Sequence, residues 1–175
     1  LAAARRLAEQ TAELKAGRWS NRDMMYLGHR TLGVVGTGAI GRRMIQLGRA
    51  IGMHVVAWTF HSSPERAAEL GVEFVELDEL LRRSDAVSIH VKLTPQSRHL
   101  IGPRELALMK PGSILVNTAR GAIVDTDAMV EALNRGHLAG AGLDVFDVEP
   151  LPADHPILRC DRVVFTPHNA DQTPE

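Results

Sequence analysis

The stretch that decides the fold is Thr31-Leu32-Gly33-Val34-Val35-Gly36-Thr37-Gly38-Ala39-Ile40-Gly41. A short β-branched run leads into three spaced glycines, and a helical pattern follows over residues 40–50. A G-x-G-x-x-G between a buried strand and a helix is typical of the turn that receives a dinucleotide pyrophosphate. Gly36 permits the tight turn, Gly38 lets the backbone approach a phosphate, and Gly41 lets the helix pack closely.

The start of this helix is predicted to be the phosphate site. The backbone N–H groups that follow Gly38, at Ala39 and Ile40, have no partner within the helix and lie at its positive dipole end. Glycines that serve only a tight turn are the structural alternative. The position between a strand and a helix favours nucleotide binding.

Six further short apolar runs extend the pattern along the chain. They occupy residues 55–58, 72–75, 86–89, 113–116, 141–143 and 163–165. Helical candidates lie between them at residues 64–70, 77–83, 103–109 and 126–134. Such alternation predicts an α/β fold, a Rossmann-type doubly wound parallel sheet with flanking helices. Ligands of such sheets bind beyond the carboxyl ends of the strands.

A separate helix is predicted at the start of the chain, over residues 1–16, with Gly17 placed to stop it. We interpret residues 1–17 as a helical arm or hinge and residues 18–168 as the dinucleotide-binding domain. The first residue is Leu1 and the last two are Pro174 and Glu175. We therefore expect the chain to be a piece of a longer polypeptide.

Composition narrows the function classes. The 175 residues are 45% hydrophobic and 23% charged, which is typical of a globular domain, and the net charge of −1 gives no global reason to bind nucleic acid or an anionic membrane. The apolar runs are too short to span a bilayer. Cys160 is the single cysteine, so an internal disulfide and a thiolate metal cluster are both excluded. We expect a protein of the reducing cytoplasm without a metal site.

The choice between NAD and NADP stays open. An acidic residue that would hold the ribose 2′-hydroxyl of NAD is expected about 20 residues after the glycines, close to Thr59. No carboxylate occurs there before Glu65, while His61 and Arg66 offer attraction for a 2′-phosphate. Alternatively, the hydroxyls of Thr59 and Ser62 hold the ribose of NAD.

The second half of the chain carries four motifs in order. They are Met109-Lys110-Pro111-Gly112-Ser113-Ile114-Leu115-Val116-Asn117-Thr118-Ala119-Arg120-Gly121, then Gly142-Leu143-Asp144-Val145-Phe146, Glu149-Pro150 and Thr166-Pro167-His168-Asn169-Ala170. Together they resemble the D-isomer-specific 2-hydroxyacid dehydrogenases over nearly the whole chain. The resemblance implies an NAD(P)-dependent oxidoreductase that interconverts a 2-oxo acid and a D-2-hydroxy acid.

The resemblance places the catalytic set of this family on Arg120, Glu149 and His168. The chemistry suits these side chains, since histidine exchanges protons near neutral pH and is our general acid/base. A carboxylate at Glu149 would orient the imidazole and favour its protonated form. The guanidinium of Arg120 would grip the substrate carboxylate through two parallel hydrogen bonds.

The cofactor contacts implied by the resemblance lie at the ends of several strands. Thr118 and Ala119 line the cofactor beside Arg120, and Asp144 sits near the nicotinamide carboxamide or, alternatively, caps a turn. The remaining expected contacts are His90, Val91, Thr94, His168 and Ala170. The loop after the fourth strand departs from the family pattern, because Lys92 stands where proline is common.

The resemblance also implies a substrate domain that is discontinuous and lies before and after the cofactor domain. Residues 169–175 would be a stub leading back to that missing domain, so we expect weak or absent turnover from this chain alone. A homodimer is implied as well. Two rival functions share the fold: a dinucleotide-sensing corepressor, and a phosphite or formate dehydrogenase, although formate dehydrogenases carry glutamine where Glu149 stands.

Overall fold

A computed structural model describes residues 1–19 and 23–172 and contains a single sheet of seven strands. The strands are β1 Thr31–Val35, β2 His54–Trp58, β3 Glu73–Phe74, β4 Ala86–Ile89, β5 Ser113–Asn117, β6 Leu138–Leu143 and β7 Val163–Phe165. The helices are α1 Leu7–Lys15, α2 Ala39–Ala50, α3 Pro64–Leu70, α4 Leu77–Arg83, α5 Pro103–Leu108 and α6 Thr126–Asn134. Two 3₁₀ turns complete the elements, at Gly121–Ile123 and Pro156–Arg159.

The strands are ordered β3-β2-β1-β4-β5-β6-β7, and every neighbouring pair is parallel. The chain order runs outward in one direction from β1 to β3 and in the other from β4 to β7. The connections on the two sides of the β1/β4 boundary therefore diverge and leave a crevice above the carboxyl ends of these strands. The predicted doubly wound sheet is confirmed.

Helices cover the two faces of the sheet unequally. On one face, α4, α5 and α6 pack side by side over an apolar cluster that includes Leu80, Ile89 and Leu115. On the other face, α2 packs on β1 and β2 through Ile45. Strands buried on both faces explain why the predicted segments are continuous apolar runs without alternation.

Local capping sets the limits of several helices. The hydroxyl of Ser63 accepts a hydrogen bond from the Arg66 amide at 3.2 Å and Pro64 follows as the first helical residue, so α3 begins there. The carboxylate of Asp125 accepts one from the Ala128 amide at 3.0 Å at the start of α6. These short side chains fix where each crossover helix leaves the sheet edge.

The structure corrects some predicted boundaries. The first helix was expected over residues 1–16, but α1 begins only at Leu7 because Arg6 adopts a left-handed φ of 50°. Ala4, three residues before α1, is buried in the apolar cluster that includes Leu32 and Ile45. The third strand is shorter than predicted, the sixth is longer, and both 3₁₀ turns were missed. Of the predicted stub, residues 173–175 lie outside the described residues.

Candidate active site

The glycine-rich turn joins β1 to α2 at the crevice. Gly36 has a φ of 97°, and its amide donates to the Trp58 carbonyl at 2.8 Å. A Cβ on Gly41 would lie 2.0 Å from the Gly36 carbonyl oxygen, whereas a Cβ on Gly38 would project into open space. The turn is therefore tight on its protein side and open on its crevice side, as a backbone cradle for an anion requires.

The start of α2 lacks a side-chain cap. Gly38 is the N-cap residue and makes no side-chain hydrogen bond, and Ala39 and Ile40 open the first turn with exposed side chains. No acidic residue occupies this first turn. The free N–H groups of the turn fit a pyrophosphate, so the residues present suit a dinucleotide.

A cavity of about 440 Å³ extends from the start of α2 across the carboxyl ends of β4 and β5, and we call it the cofactor-side cavity. Its lining combines predicted cofactor contacts with two residues of the β4 loop: Ile40, His90, Val91, Lys92, Leu93, Thr118, Ala119 and Arg120. Residues from three chain segments are thus brought together. The volume matches that of sites for small organic ligands.

His90 lies on the wall of this cavity directly after β4. Its Nε2 is 2.8 Å from the Ser88 hydroxyl, and its amide donates to the Val35 carbonyl at 2.7 Å. Burial of the imidazole lowers the pKa of His90 to about 4. At neutral pH the cavity therefore presents an uncharged ring there.

Arg66 reaches back from α3 to the glycine-rich turn. Its Nε donates to the Thr37 hydroxyl at 3.1 Å and its Nη2 donates to the Thr37 carbonyl at 2.6 Å. The side chain of Thr37 is buried, so this contact ties α3 to the turn. The Arg66 guanidinium, which the sequence suggested as a partner for a 2′-phosphate, thus already has two hydrogen-bond partners in Thr37. Thr59, the alternative ribose contact, directly follows β2 and is half-buried.

The loop that carries Arg120 is shaped by Asn117, a buried residue at the end of β5. Its Nδ2 donates to the Arg120 carbonyl at 2.9 Å, and its Oδ1 accepts from the Ala119 amide at 3.1 Å. A Cβ on Gly121 would lie 2.0 Å from the Phe146 carbonyl carbon. The backbone of the Arg120 loop therefore packs against the segment after β6.

The role of Asn117 was not predicted from the sequence, although a polar residue at the end of a buried strand is a signal that could have indicated it.

Arg120 is shared by a second cavity of about 390 Å³, which we call the substrate-side cavity. Glu149 and His168 line it together with Arg120, so the three predicted catalytic residues meet at one place. His168 Nδ1 lies 2.6 Å from Glu149 Oε2, and the side chains are 38% and 34% exposed. Such exposure leaves the other edge of the imidazole free to approach a ligand.

The carboxylate of Glu149 is held at both oxygens. Besides the contact with His168, its Oε1 accepts from the Phe146 amide at 2.9 Å. The hydrogen bond with His168 lowers the pKa of Glu149, and the Phe146 amide and the charges of His168 and Arg120 act in the same direction. Glu149 is therefore an anion at neutral pH, oriented towards the imidazole.

Asp144 holds the turn that carries His168. Its buried carboxylate accepts from the Thr166 hydroxyl at 2.5 Å and from the amides of Asn169 and Ala170 at 3.1 Å each. Burial would raise the pKa of Asp144, but these hydrogen bonds outweigh it and leave the pKa below its usual value. His168 has a left-handed φ of 50°, a conformation that the surrounding turn must support.

The structure separates some predicted contacts from the two cavities. Among the described residues, neither cavity lining includes Thr59, Thr94, Asp144 or Ala170. The Thr94 amide donates to the Ser97 hydroxyl at 2.8 Å, and that hydroxyl donates to the Lys92 carbonyl at 2.6 Å. Buried Ser97 thus shapes the β4 loop, a role that no sequence pattern indicated.

Comparison with known proteins gives a family match over residues 1–170, to the model described as the D-isomer specific 2-hydroxyacid dehydrogenase, NAD binding domain. A glyoxylate reductase of Aeropyrum pernix is 47% identical and is matched over 100% of this chain and 55% of its own length. A D-3-phosphoglycerate dehydrogenase of Methanocaldococcus jannaschii is 43% identical over 100% of this chain and 34% of its own length.

Solved structures agree with the sequence matches. The crystal structure of a glyoxylate reductase from Paecilomyes thermophila superposes with a TM-score of 0.90 at 36% identity, over 98% of this chain and 52% of that one. The chain therefore spans about half the length of the glyoxylate reductases it matches. Within residues 1–19 and 23–172, no helix is both long and apolar enough to cross a membrane.

Proposed function

The chain belongs to the D-isomer specific 2-hydroxyacid dehydrogenase family through its NAD-binding domain, and we propose that the natural protein interconverts a 2-oxo acid and a D-2-hydroxy acid. The cofactor class is NAD(P), as the sequence predicted. The cofactor supplies the hydride when it is bound. The glycine-rich turn and the cofactor-side cavity are the parts of this chain that would hold it.

One observation carries the proposal: Arg120 lines the cofactor-side cavity and the substrate-side cavity at once. A 2-oxo acid held by this guanidinium would have its carbonyl carbon next to the cofactor cavity. Its carbonyl oxygen would lie towards His168, which shares the second cavity. Hydride transfer and proton transfer act on neighbouring atoms of one carbonyl group, so the reaction needs this adjacency.

The side chains divide the remaining work. Arg120 binds the substrate carboxylate through paired hydrogen bonds. His168 donates a proton from Nε2 to the developing alkoxide during reduction and takes it back during oxidation. Glu149 accepts a hydrogen bond from Nδ1, which orients the imidazole so that Nε2 faces the substrate. Asp144 supports this arrangement by holding the turn around His168.

The substrate is proposed to be a small 2-oxo or 2-hydroxy acid. Glyoxylate and phosphoglycerate are named in the descriptions of the relatives, and both carry the carboxylate that Arg120 would bind. Nucleic acid and membrane partners are not part of the proposal, since the net charge of −1 gives no general attraction for either.

The proposal extends to organisation and assembly. We assign residues 18–168 to the cofactor domain and residues 1–17 to an arm. We propose that residues 169–175 connect the cofactor domain to a substrate domain. None of the residues of α1 is buried, and Leu7 and Leu14 are more than half exposed, which supports pairing of this arm with a second copy of the chain.

We also propose a cytoplasmic location. The chain contains a single cysteine and so forms no internal disulfide, as is usual for proteins of a reducing compartment.

A substitution at His168 tests the proposed reaction in the full-length natural polypeptide. With glyoxylate as substrate, we expect His168→Gln to lower kcat by about 10²- to 10⁴-fold, the usual contribution of a general acid. Binding of NADH or NADPH, measured by calorimetry, is expected to persist. The exposed His54, at the start of β2, provides the matched control His54→Gln. Full activity of His168→Gln, or failure of the natural protein to reduce any 2-oxo acid, would overturn the proposal.

A further inference from the structure

The substrate-side cavity contains a second arginine, Arg98, that the catalytic set does not use. One cation is enough for the carboxylate of a 2-oxo acid, and Arg120 provides it. Arg98 directly follows Ser97 in the turn that Thr94 and Ser97 form after β4. Its presence in the lining therefore calls for a separate chemical role.

The backbone around Arg98 is tied to the loop of Arg120. The Arg98 amide donates to the Thr94 carbonyl at 3.0 Å, and the next amide, of His99, donates to the Ala122 carbonyl at 2.8 Å. Ala122 belongs to the 3₁₀ turn that directly follows Arg120. The two arginines thus lie on neighbouring segments joined by a hydrogen bond, and the site of the second cation is built into the fold.

The guanidinium of Arg98 has no partner among the described residues. Other arginines of the chain do: Arg66 binds Thr37, Arg83 pairs with Glu73, and Arg104 pairs with Asp78. Two carboxylates line the same cavity, and neither pairs with Arg98: Glu149 binds His168, and Asp147 Oδ2 accepts from the Thr126 hydroxyl at 3.0 Å. Within the described part of the chain, the Arg98 guanidinium is therefore available to an anionic group of a ligand.

We propose that Arg98 determines specificity by binding a second anionic group of the substrate, so that the preferred 2-oxo acids carry a distal carboxylate or phosphate. This inference rests on the proposed function, because Arg120 must hold the first carboxylate. A planar guanidinium suits both anions through paired hydrogen bonds. Both arginines line the cavity, and its volume of about 390 Å³ has room for a substrate of a few carbon atoms.

The test uses the full-length natural polypeptide and two pairs of substrates that differ only in the distal group. Oxaloacetate is compared with 2-oxobutyrate, and 3-phosphohydroxypyruvate with hydroxypyruvate, so the two arms separate a carboxylate from a phosphate. We expect kcat/KM to favour the anionic member of at least one pair by about 10-fold, the usual effect of one charge-assisted contact. Arg98→Gln should remove this preference, and Arg98→Lys should restore part of it.

Neutral substrates separate the two possible failures. Arg98→Gln should change kcat/KM for 2-oxobutyrate and hydroxypyruvate by no more than about twofold, because they lack the distal anion. The exposed Arg159 gives a matched control, since Arg159→Gln removes the same charge elsewhere and should leave the preference intact. Suppose that the natural protein reduces the neutral acids. This inference alone is then overturned if kcat/KM shows no preference for the anionic substrates, or if Arg98→Gln leaves that preference unchanged. Absence of any reduction overturns the proposed function and this inference together.

Discussion

The two cavities that meet at Arg120 are built in different ways. The cofactor-side cavity is walled by the ends of β4 and β5 and by the start of α2, so its shape follows from the sheet itself. The substrate-side cavity depends on the loops that follow β6 and β7, where the side chains of Glu149 and His168 are about a third exposed. The sheet and α2 therefore position the backbone groups of the cofactor-side cavity. In the substrate-side cavity, side-chain hydrogen bonds from Asp144 and Glu149 position His168.

A matched pair of glycine substitutions should give the largest effect on the sheet-built side. Gly41→Ala places a Cβ 2.0 Å from the Gly36 carbonyl oxygen, so we expect it to lower the free energy of unfolding by about 3 kcal/mol. Gly38→Ala adds a methyl group in open space and should leave that free energy nearly unchanged while weakening cofactor binding. Denaturant unfolding and calorimetric titration with NADH or NADPH measure the two effects. Equal loss of stability in both variants would contradict the difference between the two glycines.

The buried wall of the cofactor-side cavity should also show a pH dependence of stability. The imidazole of His90 has a pKa of about 4 when folded and about 6.5 when unfolded, so the unfolded state takes up its proton first as the pH falls. Its contribution to stability is present above pH 6.5 and is lost between pH 6.5 and 4, by about 3 kcal/mol in total.

Comparison with a variant isolates this contribution. We expect the free energy of unfolding of His90→Gln to fall less steeply between pH 7 and 4 than that of the natural sequence. His54 is exposed, so His54→Gln should follow the natural pH profile. Parallel profiles for all three proteins would contradict the lowered pKa of the buried His90 imidazole.

The smallest expected effect concerns the Asp144 clamp, by which we mean the hydrogen bonds that the Asp144 carboxylate accepts from Thr166, Asn169 and Ala170. Asp144→Asn keeps the shape of the side chain but removes the charge and part of its capacity to accept hydrogen bonds. We expect a loss of about 1–2 kcal/mol in stability and a drop in kcat of about tenfold, since the turn around His168 loosens. The natural full-length protein and the variant are compared by unfolding and by steady-state kinetics. An unchanged kcat would mean that the left-handed turn holds His168 without the clamp.

Thr166→Val provides a graded control for this clamp. It removes only the hydroxyl that donates to Asp144 and leaves the bonds from the two amides in place. Its effect on kcat should therefore be smaller than that of Asp144→Asn. The reverse order would place the important contact at the hydroxyl and not at the turn backbone.

By itself, the sequence predicted the parallel sheet, the glycine-rich turn, the family and the NAD(P) cofactor class. Buried parallel strands leave continuous apolar runs, and a phosphate-binding turn demands glycine at fixed spacing, so both are visible in linear order. The proposed catalytic roles of Arg120, Glu149 and His168 came from the resemblance, and the structure brings these three side chains to one cavity.

Only the tertiary structure decided what surrounds these residues. Asp144 binds a turn more than 20 positions later in the chain, and Arg66 is hydrogen-bonded to Thr37. Arg98 lines the same cavity as Arg120 and has no side-chain partner within residues 1–19 and 23–172. The late start of the N-terminal helix, after Arg6, likewise accompanies the burial of Ala4 in the apolar cluster beside the sheet. Such contacts join positions that are distant in sequence, and a polar side chain carries no local signal of which distant partner will satisfy it.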